Sequence, residues 1–268
     1  MPDISGKVAI VTGGGFGIGE GIALVLSECG ATVVIAEVNE ENGRRVEKIL
    51  RQRWGRGLFI HTDVSLRCQV EIMVEKTVSE FDRLDILVNN AGANFVKPTL
   101  ETKEEDWDKV INVDLRGTFL CSQAALRQMV KQKSGSIINI ASVHTYATLP
   151  SAVPYASAKG GVECMTKSMA IEFGPLGIRV NAVSPGLTDT KIWQDIKQAG
   201  RDEKAVEDFW MAHIPLKRVQ TPREVGNVVA FLASDESSYI TGANIFTDGG
   251  MTAMLIGESR QAVATLEE

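Results

Sequence analysis

Cysteine and histidine are scarce in this chain. The four cysteines, Cys29, Cys68, Cys121 and Cys164, form no CxxC pair, and the three histidines stand far apart. That scatter excludes a disulfide framework and suits the free thiols of a reducing compartment. It also provides no ligand spacing for a metal, and none is expected. No apolar run approaches the ~20 residues of a membrane-spanning helix. Basic residues form no block, and 28 Lys+Arg against 34 Asp+Glu leave a net charge of −6, which argues against a nucleic-acid surface. The opening MPDISGKVAIVTGGG lacks a basic n-region and does not read as a signal peptide. Repeats, low-complexity tracts and interdomain linkers are missing too. The expectation is a cytoplasmic protein acting on a small molecule, without nucleic-acid or membrane partners.

What is present is a regular alternation. At 268 residues and 44% hydrophobic content, one α/β domain spanning 1–268 is expected, since such folds often run to ~250 residues as one unit. KVAIVT (7–12) is a short β-branched run, read as a buried parallel strand. TGGGFGIG (12–19) follows, then a helical pattern stopping at Gly30, then the strand ATVVIAE (31–37). Glycines where a strand turns into a helix let the backbone approach a pyrophosphate resting on the helix N-terminus. Glu37 ends the second strand, where a carboxylate accepts hydrogen bonds from a ribose diol and repels a 2′-phosphate. Phe16 fills the slot before Gly17 and no Arg or Lys lies in the turn. NAD is therefore expected over NADP, unless Glu37 is only a surface carboxylate.

Further strands are read at 58–63, 84–92, 134–142, 178–186 and 243–250. Asp63 is a candidate for the adenine amino group, and Asn90, Ala91 and Gly92 for the adenosine side of a cofactor; Asn89 reads as a tie between neighbouring loops. A long helical stretch is expected over 104–130, with Asn112 interrupting its apolar face, and further helices at 69–81, 155–173 and 222–234. From Leu187 to His213 the pattern weakens, and a substrate lid is expected at about 187–215. The alternative is a helical subdomain with its own small core; the two are compatible.

Three polar side chains converge in this scheme. Ser142 follows the apolar run IINIA and so sits at the carboxyl end of a strand, the end that faces the ligand crevice in an open α/β sheet. Tyr155 and Lys159 are four apart on one helical face. A phenol titrates near pH ~10 in water, and a neighbouring cation favours the phenolate. A hydroxyl can meanwhile hydrogen-bond a substrate oxygen and its developing alkoxide. Such a trio suits hydride transfer at an alcohol or ketone; without the flanking motifs it would read as an ordinary turn serine and a surface Tyr/Lys pair.

TGGGFGIG, NNAG (89–92), Asn112, Ser142, Tyr155-x-x-x-Lys159 and SPG (184–186), in that order, resemble the short-chain dehydrogenase/reductase family in its branch of about 250 residues. The resemblance runs from Gly6 to about Gly250. It implies a Rossmann-type, doubly wound sheet of about seven parallel strands, and a catalytic tetrad Asn112-Ser142-Tyr155-Lys159. In that tetrad Tyr155 is the general acid/base and Ser142 orients the substrate oxygen. Lys159 binds the nicotinamide ribose and assists Tyr155, and Asn112 holds a water in a proton relay leading from Lys159. The implied cofactor contacts are Gly13, Gly15, Phe16, Gly17, Ile18, Gly19, Glu37, Asp63, Val64, Asn90, Ala91, Gly92, Val113, Tyr155, Lys159, Pro185, Gly186, Thr188 and Thr190. A homotetramer is implied, with a dimer as the smaller alternative. The tail after Gly250 runs past the usual family end, either crossing a subunit interface or disordered.

Substrate contacts are expected from Ser142, His144, Tyr155 and Trp193, with Phe95, Tyr146, Leu149 and Trp210 nearby. His144 either bonds a substrate hydroxyl or carboxylate or is satisfied by its own loop. Trp193 either stacks on a substrate or anchors the lid. The polar VHTY segment together with Glu37 favours oxidation of a polyol, sugar or other small secondary alcohol with NAD. The alternatives are a 3-oxoacyl-thioester reductase of the acyl-carrier-protein type, a cyclic-ketone or steroid dehydrogenase, and a non-catalytic nucleotide sensor.

Overall fold

Strand β1 (Val8–Thr12, VAIVT) is buried along its whole length, as expected of a strand covered on both faces by helices. The computed structural model describes residues 1–200 and 202–254. With β2 (Thr32–Glu37), β3 (Leu58–His61), β4 (Ile86–Asn89), β5 (Gly135–Ile140), β6 (Ile178–Pro185) and β7 (Asn244–Thr247), β1 forms a seven-stranded sheet of order β3-β2-β1-β4-β5-β6-β7. Every pairing is parallel; Val8 lies opposite Thr32, Ala9 opposite Ile86, and Asn89 opposite Asn139. The fold is the single-domain, Rossmann-like doubly wound sheet expected from the sequence.

The helices divide between the two faces. On one lie α1 (Gly17–Glu28) and α2 (Glu40–Trp54), with α9 (Pro222–Ala233), packing Ile22, Leu26, Val46, Leu50, Val225 and Val229 against the sheet. On the other lie α3 (Arg67–Phe81), α5 (Gly117–Gln132) and α6 (Val153–Phe173), contributing Met73, Leu120, Met129 and Met169. Their ends follow sequence chemistry. Asn39 caps α2 by accepting from Asn42 N at 2.9 Å, and Gly55 ends it with φ +73°. Thr221 and Glu224 form a capping box around α9, with Pro222 in its first turn. Pro154 likewise lies in the first turn of α6, which begins at Val153, ahead of the expected Tyr155.

The order of strands reverses between β1 and β4, which opens a crevice at their carboxyl ends. The loops that follow β1, β4, β5 and β6 meet there. The long helical stretch expected over 104–130 is present as α4 (Glu104–Val110), a π-helical turn (Ile111–Arg116) and α5 in unbroken succession. The weak pattern after Leu187 contains two short helices, α7 (Lys191–Ala199) and α8 (Glu203–Ala212). Beyond Met254 the tail lies outside the described residues.

Candidate active site

The glycine turn after β1 leads straight into α1. Gly13 (φ +61°) and Gly17 (φ +56°) take a left-handed backbone that side chains disfavour, and a Cβ on Gly19 would overlap the Gly13 carbonyl oxygen. Phe16, half exposed at the N-cap of α1, supplies no side-chain acceptor to the first turn of the helix. An anion seated there would meet free N–H groups and the positive end of the helix dipole, so the cradle fits a pyrophosphate. Glu37 lies at its rim, its two carboxylate oxygens accepting from Gly15 N at 3.2 Å and Asn39 N at 3.0 Å. Arg45 is engaged by Glu20 at 2.7 Å and by the Gly15 carbonyl at 3.0 Å.

The end of β4 closes the other side. Thr12 Oγ1 accepts from Asn90 N (3.0 Å) and Ala91 N (3.1 Å), and the Asn90 amide donates to the Thr12 and Gly13 carbonyls. Asn90 thus clamps the glycine turn. Asn89 donates to Ser122 Oγ and Asn139 Oδ1, tying β4 to α5 and β5 where a tie between loops is the expectation from sequence. Asp63 Oδ1 accepts from Ser65, and Val64 is buried behind it against Gly117. After β6, Thr188 Oγ1 donates to the Gly186 carbonyl (3.1 Å), and Thr190 lies against Gly17, bringing the SPG turn up to the glycine turn.

At the carboxyl end of β5 the structure brings Ser142, Tyr155 and Lys159 together. Ser142 is buried, with its Oγ accepting from His144 N at 3.3 Å. Lys159 is 4% exposed; its ammonium donates to the Ile140 carbonyl at 3.0 Å and stands 5.5 Å from the Tyr155 ring centre. The Tyr155 hydroxyl makes no hydrogen bond among the described residues, so it is open to a substrate oxygen. The His144 ring meets Tyr155 edge-on, with centres 5.3 Å apart, and its Nδ1 lies 2.7 Å from Thr148 Oγ1. Burial lowers the pKa of His144, which keeps the imidazole neutral at physiological pH.

Asn112 does not join this cluster. Its amide makes no side-chain hydrogen bond among the described residues, and the side chain that reaches Lys159 is Asp114. The Asp114 carboxylate is wholly buried: Oδ1 accepts from Ala93 N at 2.7 Å, and Oδ2 lies 3.3 Å from the Lys159 ammonium. Two residues apart on a helix point to nearly opposite sides, so the turn that aims Asp114 inward carries Asn112 away. One signal was available: Asp114 is four residues from both Val110 and Thr118, on the buried face. A carboxylate in that stripe requires a cationic partner. Burial opposes the Lys159 ammonium, but the charges of Asp114 and Tyr155 outweigh it, and its pKa is raised.

Trp193 is 2% exposed, with Lys197 over its ring. It anchors α7 and has no free face for stacking on a substrate. Trp210, on α8, is half-buried, and Tyr146 is exposed beside Phe246.

Residues 14–252 match a family profile described as Enoyl-(Acyl carrier protein) reductase. The chain is 40% identical to the 3-oxoacyl-[acyl-carrier-protein] reductase FabG of Thermotoga maritima, over 92% of this chain and 98% of the relative. It is 38% identical to glucose 1-dehydrogenase 2 of Bacillus subtilis, over 93% and 96%. The crystal structure of levodione reductase superposes with a TM-score of 0.88 at 35% identity, covering 93% of this chain and 98% of that one. On these matches the chain belongs to the short-chain dehydrogenase/reductase family and is an oxidoreductase acting on alcohols or ketones.

Proposed function

We propose that this chain is an NAD-dependent dehydrogenase that interconverts a secondary alcohol and a ketone on a small hydroxylated substrate, a polyol or sugar foremost. The observation that carries the reading is the buried Lys159 ammonium beside the open Tyr155 phenol at the end of β5. In oxidation Tyr155 takes the proton of the substrate hydroxyl; in reduction it returns one to the ketone oxygen. Ser142 Oγ hydrogen-bonds the same oxygen and steadies its developing charge. Lys159 favours the charged phenol oxygen and holds the nicotinamide ribose. The nicotinamide, NAD or NADP in this family, supplies hydride acceptance and donation when bound.

The cofactor's pyrophosphate is assigned to the turn of Gly13, Gly15, Phe16, Gly17, Ile18 and Gly19. Its adenosine side is assigned to Glu37, Asp63, Val64, Asn90, Ala91 and Gly92, with Val113 behind them. The nicotinamide side falls to Pro185, Gly186, Thr188 and Thr190. Glu37 carries the preference for NAD, since a 2′-phosphate would approach a carboxylate already fixed by two backbone N–H groups. His144 Nε2 has no protein partner among the described residues and offers the substrate one hydrogen bond, which suits a second hydroxyl. The segment at about 187–215 is assigned as the lid, anchored by Trp193.

A 3-oxoacyl-thioester reductase is the second reading, favoured by the FabG relative and opposed by Phe16 and Glu37. A cytoplasmic homotetramer is the assembly we assign. In its support, α5 and α6 carry a largely apolar concavity of about 690 Å³, lined by Phe119, Leu126, Val130, Met169 and Phe173 together with Gln123, Arg127, Lys131 and Glu172. No helix among the described residues is long and apolar enough to cross a membrane. The deciding experiment offers polyols, sugars, cyclic alcohols and β-hydroxyacyl thioesters with NAD and NADP in parallel. Turnover of a polyol or sugar with NAD supports the reading, and turnover of thioesters alone with NADP overturns it.

A further inference from the structure

The roles above leave the Asp114 carboxylate unused. It is wholly buried, and it lies in a π-helical turn at Ile111–Arg116, a distortion that often marks a functional segment. Its Oδ1 is held by Ala93 N at 2.7 Å. Its Oδ2 has no hydrogen bond of good geometry and faces only the Lys159 ammonium at 3.3 Å. A Cβ on Gly92 would come within 2.9 Å of that oxygen and 3.5 Å of the ammonium, so the end of β4 is shaped around the pair.

We propose that Asp114 is a positioning residue that holds Lys159 in its charged form and, through Lys159, governs proton release from the Tyr155–Lys159 pair. The proposal rests on the roles given to Tyr155 and Lys159 above. A carboxylate here differs from an amide in one decisive way. With Asp114 ionised, the ammonium has a counter-charge and the cluster is neutral while the phenol is protonated. With a neutral residue, the cluster would carry one uncompensated positive charge in a water-poor crevice. Removal of a nearby negative charge favours loss of a proton from what remains, so under the proposal the Tyr155–Lys159 pair is expected to give up its first proton at lower pH.

Other charged groups around the pair are few. From the turn after β5, His144 meets the Tyr155 ring and is neutral. On the α4 side, Lys97 and Asp106 neutralise each other at 2.9 Å. Farther along α6, Glu163 pairs with Lys167 at 2.7 Å, and beyond β6 Asp189 accepts from Gln194. Burial works against Lys159, and Asp114 is the foremost group that offsets it.

The test is Asp114→Asn, which keeps an oxygen for Ala93 N, removes the charge and puts an amide NH2 where Oδ2 faced the ammonium. Tyrosinate absorbance is titrated in the cofactor-free protein, with Tyr155→Phe in each background to isolate one tyrosine of the three. The Tyr155 component is expected to appear about one pH unit lower in Asp114→Asn than in the parent; an unmoved midpoint overturns the proposal. This readout needs neither substrate nor cofactor, so it stands apart from any failure of the dehydrogenase reading. The acid limb of kcat/KM for alcohol oxidation is expected to move down by a similar interval. Should Asp114→Asn fold poorly, Asp114→Asn/Lys159→Met provides a second test. If the two charges act as one unit, the double variant melts above the single one, and a double that melts no higher contradicts the proposal.

Discussion

Glu37→Gln isolates the charge on which cofactor choice depends. The carboxylate is half-buried and held by Gly15 N at 3.2 Å and Asn39 N at 3.0 Å, so it cannot swing away from an incoming phosphate without losing both bonds. Two unit charges ~4 Å apart repel by ~1 kcal/mol in bulk water and ~4 kcal/mol at an effective dielectric of ~20. Partial exposure places Glu37 in the lower part of that range, about 1–2 kcal/mol. At ~1.4 kcal/mol per tenfold, the NAD-over-NADP affinity ratio should fall roughly five- to thirtyfold. Glutamine leaves one of the two N–H donors without its acceptor, at about 1 kcal/mol, so the melting temperature is followed alongside. Calorimetric titration of NADH and NADPH into parent and variant gives the ratio directly. A ratio unchanged in a folded variant would refute the assignment and move discrimination to Phe16 or Arg45.

Tyr155→Phe removes the acid/base group and is expected to lower turnover at least roughly a hundredfold. NAD binding by calorimetry should persist, and turnover near the parent's would exclude Tyr155 from the chemistry. Asp85 is 6% exposed, accepts from the buried Val8 N at 2.9 Å and pairs with Arg83 at 2.7 Å. Asp85→Ala leaves that N–H unsatisfied and should destabilise the protein by about 1–3 kcal/mol in denaturant titration; no loss would mean water replaces the carboxylate. The Arg218 guanidinium, then the Thr221 backbone N–H, hold the Glu224 carboxyl down at about 2 from 4.5. Its contribution is therefore present above pH 4.5 and is lost as pH falls toward 2. For so exposed a pair solvent screening keeps it small. The melting-temperature gap between parent and Glu224→Gln should close over that acid range, and a constant gap would contradict the assignment.

Much of the fold was legible because buried parallel strands consist of little but β-branched and apolar residues. VAIVT, TVVIAE and GSIINI each follow a break and precede a helical period, and their order alone implies the crevice at which Ser142 stands. Tyr155 and Lys159 were legible for a similar reason, since their spacing survives in any regular helix. Asp114 was legible only in part. Its spacing of four from Val110 and Thr118 puts it on the buried face, but regular helical periodicity cannot register the π-helical turn, and the amide at 112 competes with it as the polar residue on an otherwise apolar face. The partner that makes a buried carboxylate tolerable, Lys159, lies 45 residues farther along. Trp193 illustrates the converse: an aromatic in a weakly patterned segment reads equally as platform or anchor, and only its burial identifies the anchor. Helices α7 and α8 are short enough that packing, more than their own periodicity, determines them.

The most direct measurement of the central claim is the growth of reduced-nicotinamide absorbance when purified protein meets NAD and a panel of polyols, sugars and cyclic secondary alcohols, with Tyr155→Phe beside it. Turnover of at least one small secondary alcohol with NAD, lost in Tyr155→Phe, is the predicted result. Turnover confined to β-hydroxyacyl thioesters with NADP, or turnover indifferent to Tyr155→Phe, would contradict it.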